Sequence, residues 1–185
     1  MPPARYLAAR VHPDTLDAWL PRPAVRTYHR RRSAAPADRL WSTANALRLR
    51  DASRLGRVVR WRIPGVRYDQ TFRDVLATYP FTVLDEGDDF SLSGLCGRIW
   101  TLHRDYPHLD GPQAFRAWDE PGTVRVLLAT WVAPDGDGSV IYSEARVEPT
   151  DRGAALRLRS LWLVIGMFER LIGGEALELA AERAV

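Results

Sequence analysis

An alternating run feeding a long apolar helix leaves few ways for a chain to fold. Ser139-Val-Ile-Tyr-Ser-Glu-Ala-Arg-Val147 has the period of two of a strand, and Pro149-Thr-Asp151 follows as a turn. From about Ala154 to Arg183 the period becomes helical, with Leu161-Trp-Leu-Val-Ile-Gly-Met-Phe168 at the centre. A helix this apolar has to bury a broad face, and the strand beside it makes a sheet the nearest partner. The pattern predicts a terminal helix gripped by a curved antiparallel sheet, with a cavity between the two.

The chain of 185 residues is long enough for one domain with a sizeable core. Its 46% hydrophobic and 26% charged residues place it with globular chains rather than disordered ones. All 26 basic residues are Arg, as a GC-rich coding sequence would give, and the net charge is only +3. The densest basic cluster, Arg30-Arg31-Arg32, falls inside a strand-like segment, so no nucleic-acid partner is expected. The single cysteine, Cys96, excludes an internal disulfide and a cysteine cage for a metal; its apolar neighbours make it a packed core thiol. The N-terminal residues lack the apolar core of a signal peptide. The apolar stretch between Arg159 and Glu169 is shorter than the roughly 20 residues of a membrane span, and a cytoplasmic location is expected.

Residues 1 to 24, rich in Pro and Arg, read as a peripheral arm, with a short helix from Asp14 to Leu20 stopped by Pro21. A single domain is expected from 25 to 185. Val25 to Ser33 is the first strand. Two short helices follow, at 36 to 48 with Pro36 in the first turn and at about 51 to 60, the second stopped by Pro64-Gly65. From residue 79 the period turns toward two. Phe81 and Val83, Phe90 and Leu92, and a run from Leu95 to Thr101 are strand-like, with Glu86-Gly-Asp-Asp89 as a hairpin turn. Ala114 to Asp119 and Thr123 to Ala133 read as further strands. The expected fold is α+β, with about seven strands in all.

This order, with Gly94-Leu-Cys-Gly-Arg-Ile-Trp100, Ser143-Glu-Ala-Arg-Val147 before Thr150-Asp151, and Leu161-Trp-Leu-Val-Ile165, resembles uncharacterised bacterial members of the START-like, or SRPBCC, superfamily. The resemblance spans roughly residues 25 to 184. It implies a helix-grip fold, a curved sheet wrapped around the C-terminal helix, whose members bind lipids, sterols, polyketides or other apolar molecules and in some cases cyclise polyketides. The chain departs from the pattern at Ile172-Gly-Gly-Glu175, where two consecutive glycines, each costing about 1 kcal/mol in a helix interior, predict a kink or a loosened turn.

Candidate site residues follow from alternation. Phe90, Leu92, Gly94, Cys96, Arg98 and Trp100 share one side, and Ser91, Ser93, Leu95, Gly97 and Ile99 the other. Tyr142, Glu144 and Arg146 share a face of the last strand, and Glu144 is expected to pair with Arg98 or Arg146 at a cavity edge; the alternative is a solvated outer face with weak ion pairs. Trp100, Trp118, Trp131, Trp162 and Phe168 are aromatic candidates for cavity lining or for core. Leu158, Leu161, Ile165, Phe168 and Ile172 form one stripe of the terminal helix. No spacing of the four His residues suggests a metal, and no nucleophile elbow, phosphate loop or dinucleotide fingerprint is present, so no cofactor is expected.

Three functions compete. The first is binding of a small hydrophobic or amphipathic ligand between sheet and helix. The second is a polyketide cyclase- or aromatase-like enzyme in which Glu144 or Tyr142 moves protons. The third is a ligand-free structural or partner-binding protein.

Overall fold

The computed structural model describes residues 13–63, 65–101, 106–172 and 174–185, without the side chains of residues 13, 14, 62 and 163–172. In chain order the elements are α1 (Pro13–Asp17), β1 (Val25–Ser33), α2 (Ala37–Ala46), α3 (Ser53–Arg62) and α4 (Phe72–Leu76). Then come β2 (Thr82–Glu86), β3 (Phe90–Gly97), α5 (Pro112–Ala117), β4 (Val124–Asp135), β5 (Gly138–Pro149), α6 (Arg152–Ile172) and α7 (Glu175–Arg183).

The sheet is antiparallel and open, in the order β1-β5-β4-β3-β2. Among the described residues five strands therefore stand where about seven were expected. The segment from Leu95 to Thr101 is no separate strand, because β3 runs through it from Phe90 and ends at Gly97. Ala114 to Asp119 is not a strand either. Gly111, at φ 85°, turns the chain, and Pro112 in the first turn starts a helix in which only Phe115 is fully buried. The long terminal helix is also divided. α6 ends at Ile172 and α7 begins at Glu175, so the interruption falls on the glycine pair where the sequence predicts a loosened turn.

Both faces of the sheet are covered. Register sets the faces: Glu144 lies opposite Tyr28 and Ala129, and Ala129 opposite Leu92. On that face Leu92, Cys96, Leu127, Ala129 and Trp131 pack with Leu16 and Leu20 and with Phe115 of α5. Within the segment read as an arm, Leu16 and Leu20 are fully buried in this core. The other face carries α2, α6 and α7. Its apolar side chains form two groups, one joining Val132 and Ile141 to Leu40, Trp41 and Leu177, the other joining Val25, Val124 and Val147 to Leu158.

Cys96 is buried on the α1 face, and burial pushes its thiol up from 9.0 to about 12, against the opposing charge of Arg125. In the native state it should resist a thiol reagent at pH 8 and react fully in denaturant; rapid native labelling would contradict the packing. The folded form holds this proton more tightly than the unfolded one. The Cys96 contribution to stability is therefore intact below about pH 9 and declines as pH rises from there toward 12.

Candidate functional site

A central strand under a helix is normally sealed from solvent on that face. Here it is not. Between the two apolar groups on the α6 side lie Leu128 and Thr130 of β4 and Ala145 and Ser143 of β5, paired Leu128 to Ala145 and Thr130 to Ser143. All four are only half-buried, although β4 and β5 occupy the middle of the sheet. Their neighbours on β1, Thr27 and His29, are half-buried as well. On β3, Ser91 and Ser93 face Thr130 and Leu128. The result is a half-buried strip, Leu128 with small or hydroxylated neighbours, between two apolar ends.

Side-chain size explains the gap. On β5, Ser143 and Ala145 project less into the roughly 10 Å between packed layers than Ile141 and Val147 on either side of them. The start of α6 closes one end through Leu158, with Ile99, Trp100, Val126 and Trp162 packed against the same group. α7 closes the other end. Its first turn approaches β1 so closely that a Cβ on Gly174 would lie 3.1 Å from Arg31 Nη2, and Ser33 Oγ donates to the Ala181 carbonyl at 3.1 Å.

The sequence candidates divide between the two faces. Trp100, Leu161 and Trp162 are half-buried, and both tryptophans pack against the Val25, Val124, Val147 and Leu158 group. Arg98 lies beyond the end of β3 and is exposed. Trp118, Trp131, Tyr142, Glu144 and Arg146 are on the α1 side: Trp118 packs against the Phe115 group and donates from Nε1 to Thr123 Oγ1 at 2.9 Å. The side chains of Ile165 and Phe168 lie outside the described residues.

Glu144 and Arg146 do pair, as expected, but on the side turned away from α6. Arg146 Nε donates to Glu144 Oε1 at 2.6 Å, and both side chains are buried. Arg26 Nε approaches the same carboxylate at 2.7 Å and is held above its ordinary range by that hydrogen bond. Arg146 Nη1 reaches the Asp17 carboxylate and the Leu20 carbonyl, which ties α1 to the middle of β5. Beside this group Glu148 accepts from Arg125 at 2.5 Å and from the Arg22 backbone N–H at 2.7 Å. Trp131 and Tyr142 stack at 5.1 Å, with Tyr28 tilted against both. Every one of these ionised groups has a partner, and the arrangement clasps α1 to the sheet.

The side of the strand alternation that does face α6, Ser91, Ser93, Leu95, Thr27, His29, Leu128, Thr130, Ser143 and Ala145, contains no candidate chosen from sequence. Its signal was there: a run of small and hydroxylated residues in register across three strands. A separate depression of about 630 Å³ opens between α2, α4 and the β2–β3 turn, over Trp41 and lined by Asn45, Arg73, Asp74 and Asp88; none of its lining residues lies on β4 or β5.

No family model and no curated protein matches the chain. Solved structures similar to it include TTHA0849 from Thermus thermophilus, at 13% identity and a TM-score of 0.34, covering 86% of this chain and 97% of that one. CalU16 from Micromonospora echinospora is similar at 17% identity and a TM-score of 0.29, covering 86% of this chain and 83% of its own. The di-domain ARO/CYC StfQ of the steffimycin biosynthetic pathway is similar at 11% identity and a TM-score of 0.33; the match covers 86% of this chain and 50% of StfQ.

Proposed function

We propose that the chain binds a small amphipathic molecule in the cleft between the central strands and α6. One observation carries this reading: the middle of a helix-covered sheet face, at Leu128, Thr130, Ser143 and Ala145, stays half-open while both ends of the same face are packed. An apolar body would lie against Leu128 and Ala145 and reach toward Trp100 and Trp162. A polar group would meet Thr130, Ser143, Ser91 or His29. That combination of apolar wall and few polar anchors is the usual make-up of a small-molecule site.

The test is to fill the cleft. Ala145→Phe and Ser143→Leu put bulk into space the fold leaves open, so both variants should fold and lose binding at least tenfold. Native mass spectrometry before and after solvent extraction would detect a co-purified molecule, and titration with a fatty acid, a sterol and a polycyclic aromatic would rank ligand classes. Absence of any bound species, together with unchanged behaviour of both variants across those probes, would refute the reading.

A further inference from the structure

Helix α3 carries its largest aromatic on the side away from the protein. Its sequence, Ser53-Arg-Leu-Gly-Arg-Val-Val-Arg-Trp-Arg62, contains no acidic residue. At about 100° per residue, Leu55, Gly56 and Val59 share one face and Arg54, Arg57, Val58 and Trp61 the opposite one. The first face is the packed one: Gly56 is buried, and Leu55 and Val59 are half-buried. On the outer face Trp61 is 59% exposed and Val58 43%.

The rotation of α3 is fixed, so this exposure is built in. A Cβ on Gly56 would lie 2.0 Å from the Leu49 carbonyl oxygen; only glycine lets the helix sit this close. At the N-terminus the Glu175 carboxylate of α7 accepts the backbone N–H groups of Leu55 at 2.7 Å and Arg54 at 3.2 Å. Arg54, Arg57 and Arg60 are all exposed, and Arg60 lies over the Tyr68 ring at 4.1 Å. No carboxylate side chain forms an ion pair with these three arginines among the described residues.

We infer that α3 is a docking surface for an anionic phospholipid bilayer. The helix lies in the headgroup plane, with Trp61 and Val58 entering the acyl boundary and Arg54, Arg57 and Arg60 on lipid phosphates. A tryptophan beside an aliphatic residue, flanked by long cationic side chains on one short helix, is the make-up of an element that rests on a membrane. No described helix is long and apolar enough to cross one. Val58 favours a bilayer over a nucleic acid, since an aliphatic side chain gains nothing from a phosphate backbone. The inference goes beyond the cleft and holds whether or not the cleft is occupied.

Co-sedimentation of the full chain with vesicles tests it. Binding is expected to vesicles of phosphatidylcholine mixed with phosphatidylglycerol, not to phosphatidylcholine alone, and it should weaken as salt is raised. Each of Arg54→Gln, Arg57→Gln and Arg60→Gln should lower affinity about fivefold. Trp61→Ser should lower it about tenfold, and Val58→Ser, which removes a smaller exposed group, supplies an independent variant of the same face. Thermal unfolding of these surface variants should match the parent. The inference fails if the parent ignores mixed vesicles, or binds them no better than the triple Arg variant does. It also fails if the parent captures duplex RNA or an acidic protein through these residues without binding lipid.

Discussion

Glu144→Ala should destabilise the protein by about 3–5 kcal/mol, a loss on the scale of much of a domain's total stability. The Arg146 guanidinium is buried, and Glu144 is its buried partner. Without that carboxylate a cation remains inside the sheet–α1 layer with Asp17, itself 60% exposed, and a backbone carbonyl. Arg26, 49% exposed, can turn to solvent and adds little to the loss. Glu144→Gln keeps a carbonyl for Arg146 Nε and should cost less. Replacing both partners, as in Glu144→Leu with Arg146→Met, should recover much of the loss, because the penalty comes from an uncompensated charge and not from the absence of the pair. Urea unfolding followed by tryptophan fluorescence measures all three. If Glu144→Ala cost no more than a surface ion pair, the clasp between α1 and β5 would not bear on stability.

Phe115→Ala should cost a similar amount, about 3–5 kcal/mol. The ring is completely buried, and it lies over Gly94 of β3: a Cβ there would be 2.6 Å from Phe115 Cε2. Trp19 tilts against the same ring at 6.3 Å, and the Arg116 guanidinium sits over Trp19 at 3.8 Å. Removing the ring therefore leaves a void at the point where α5, β3 and the segment after α1 meet. Gly94→Ala should also destabilise, by about 1–3 kcal/mol, through overpacking. The two changes occupy the same space, so the double variant should lose clearly less than the sum of the singles. Additive losses in a denaturation series would show that the ring does not rest on Gly94.

Much of the fold was legible because local rules govern it. Val25–Ser33 was read with its observed ends, α2 and α3 within a few residues, and the β4–β5 hairpin from Asp135-Gly-Asp-Gly138. The interruption after Ile172 was legible as well, since paired glycines weaken a helix wherever it packs. Errors arose where one local pattern fits two structures. Ala114 to Asp119 alternates over too few residues to separate a strand from one turn of helix, and it took Gly111-Pro112 to decide it. A short helix at 14 to 20 was foreseen, but the burial of Leu16 and Leu20 was not, because they gain their partners from strands more than sixty residues away.

The site separates the two levels most clearly. By itself the sequence determined that Tyr142, Glu144 and Arg146 share one face of the last strand and Ser143, Ala145 and Val147 the other. It also determined that Glu144 and Arg146 stand close enough to pair. Which face meets α6 was decided by tertiary structure alone. The period of a strand says that neighbours point apart, but its sign comes from what packs on each side. An apolar or charged face reads as the ligand side when one covering helix is assumed. Here α1 and α5 cover that face, and a fully paired ion cluster locks it. The face with Ser143 and Ala145 is left on the α6 side, where both stay half-buried.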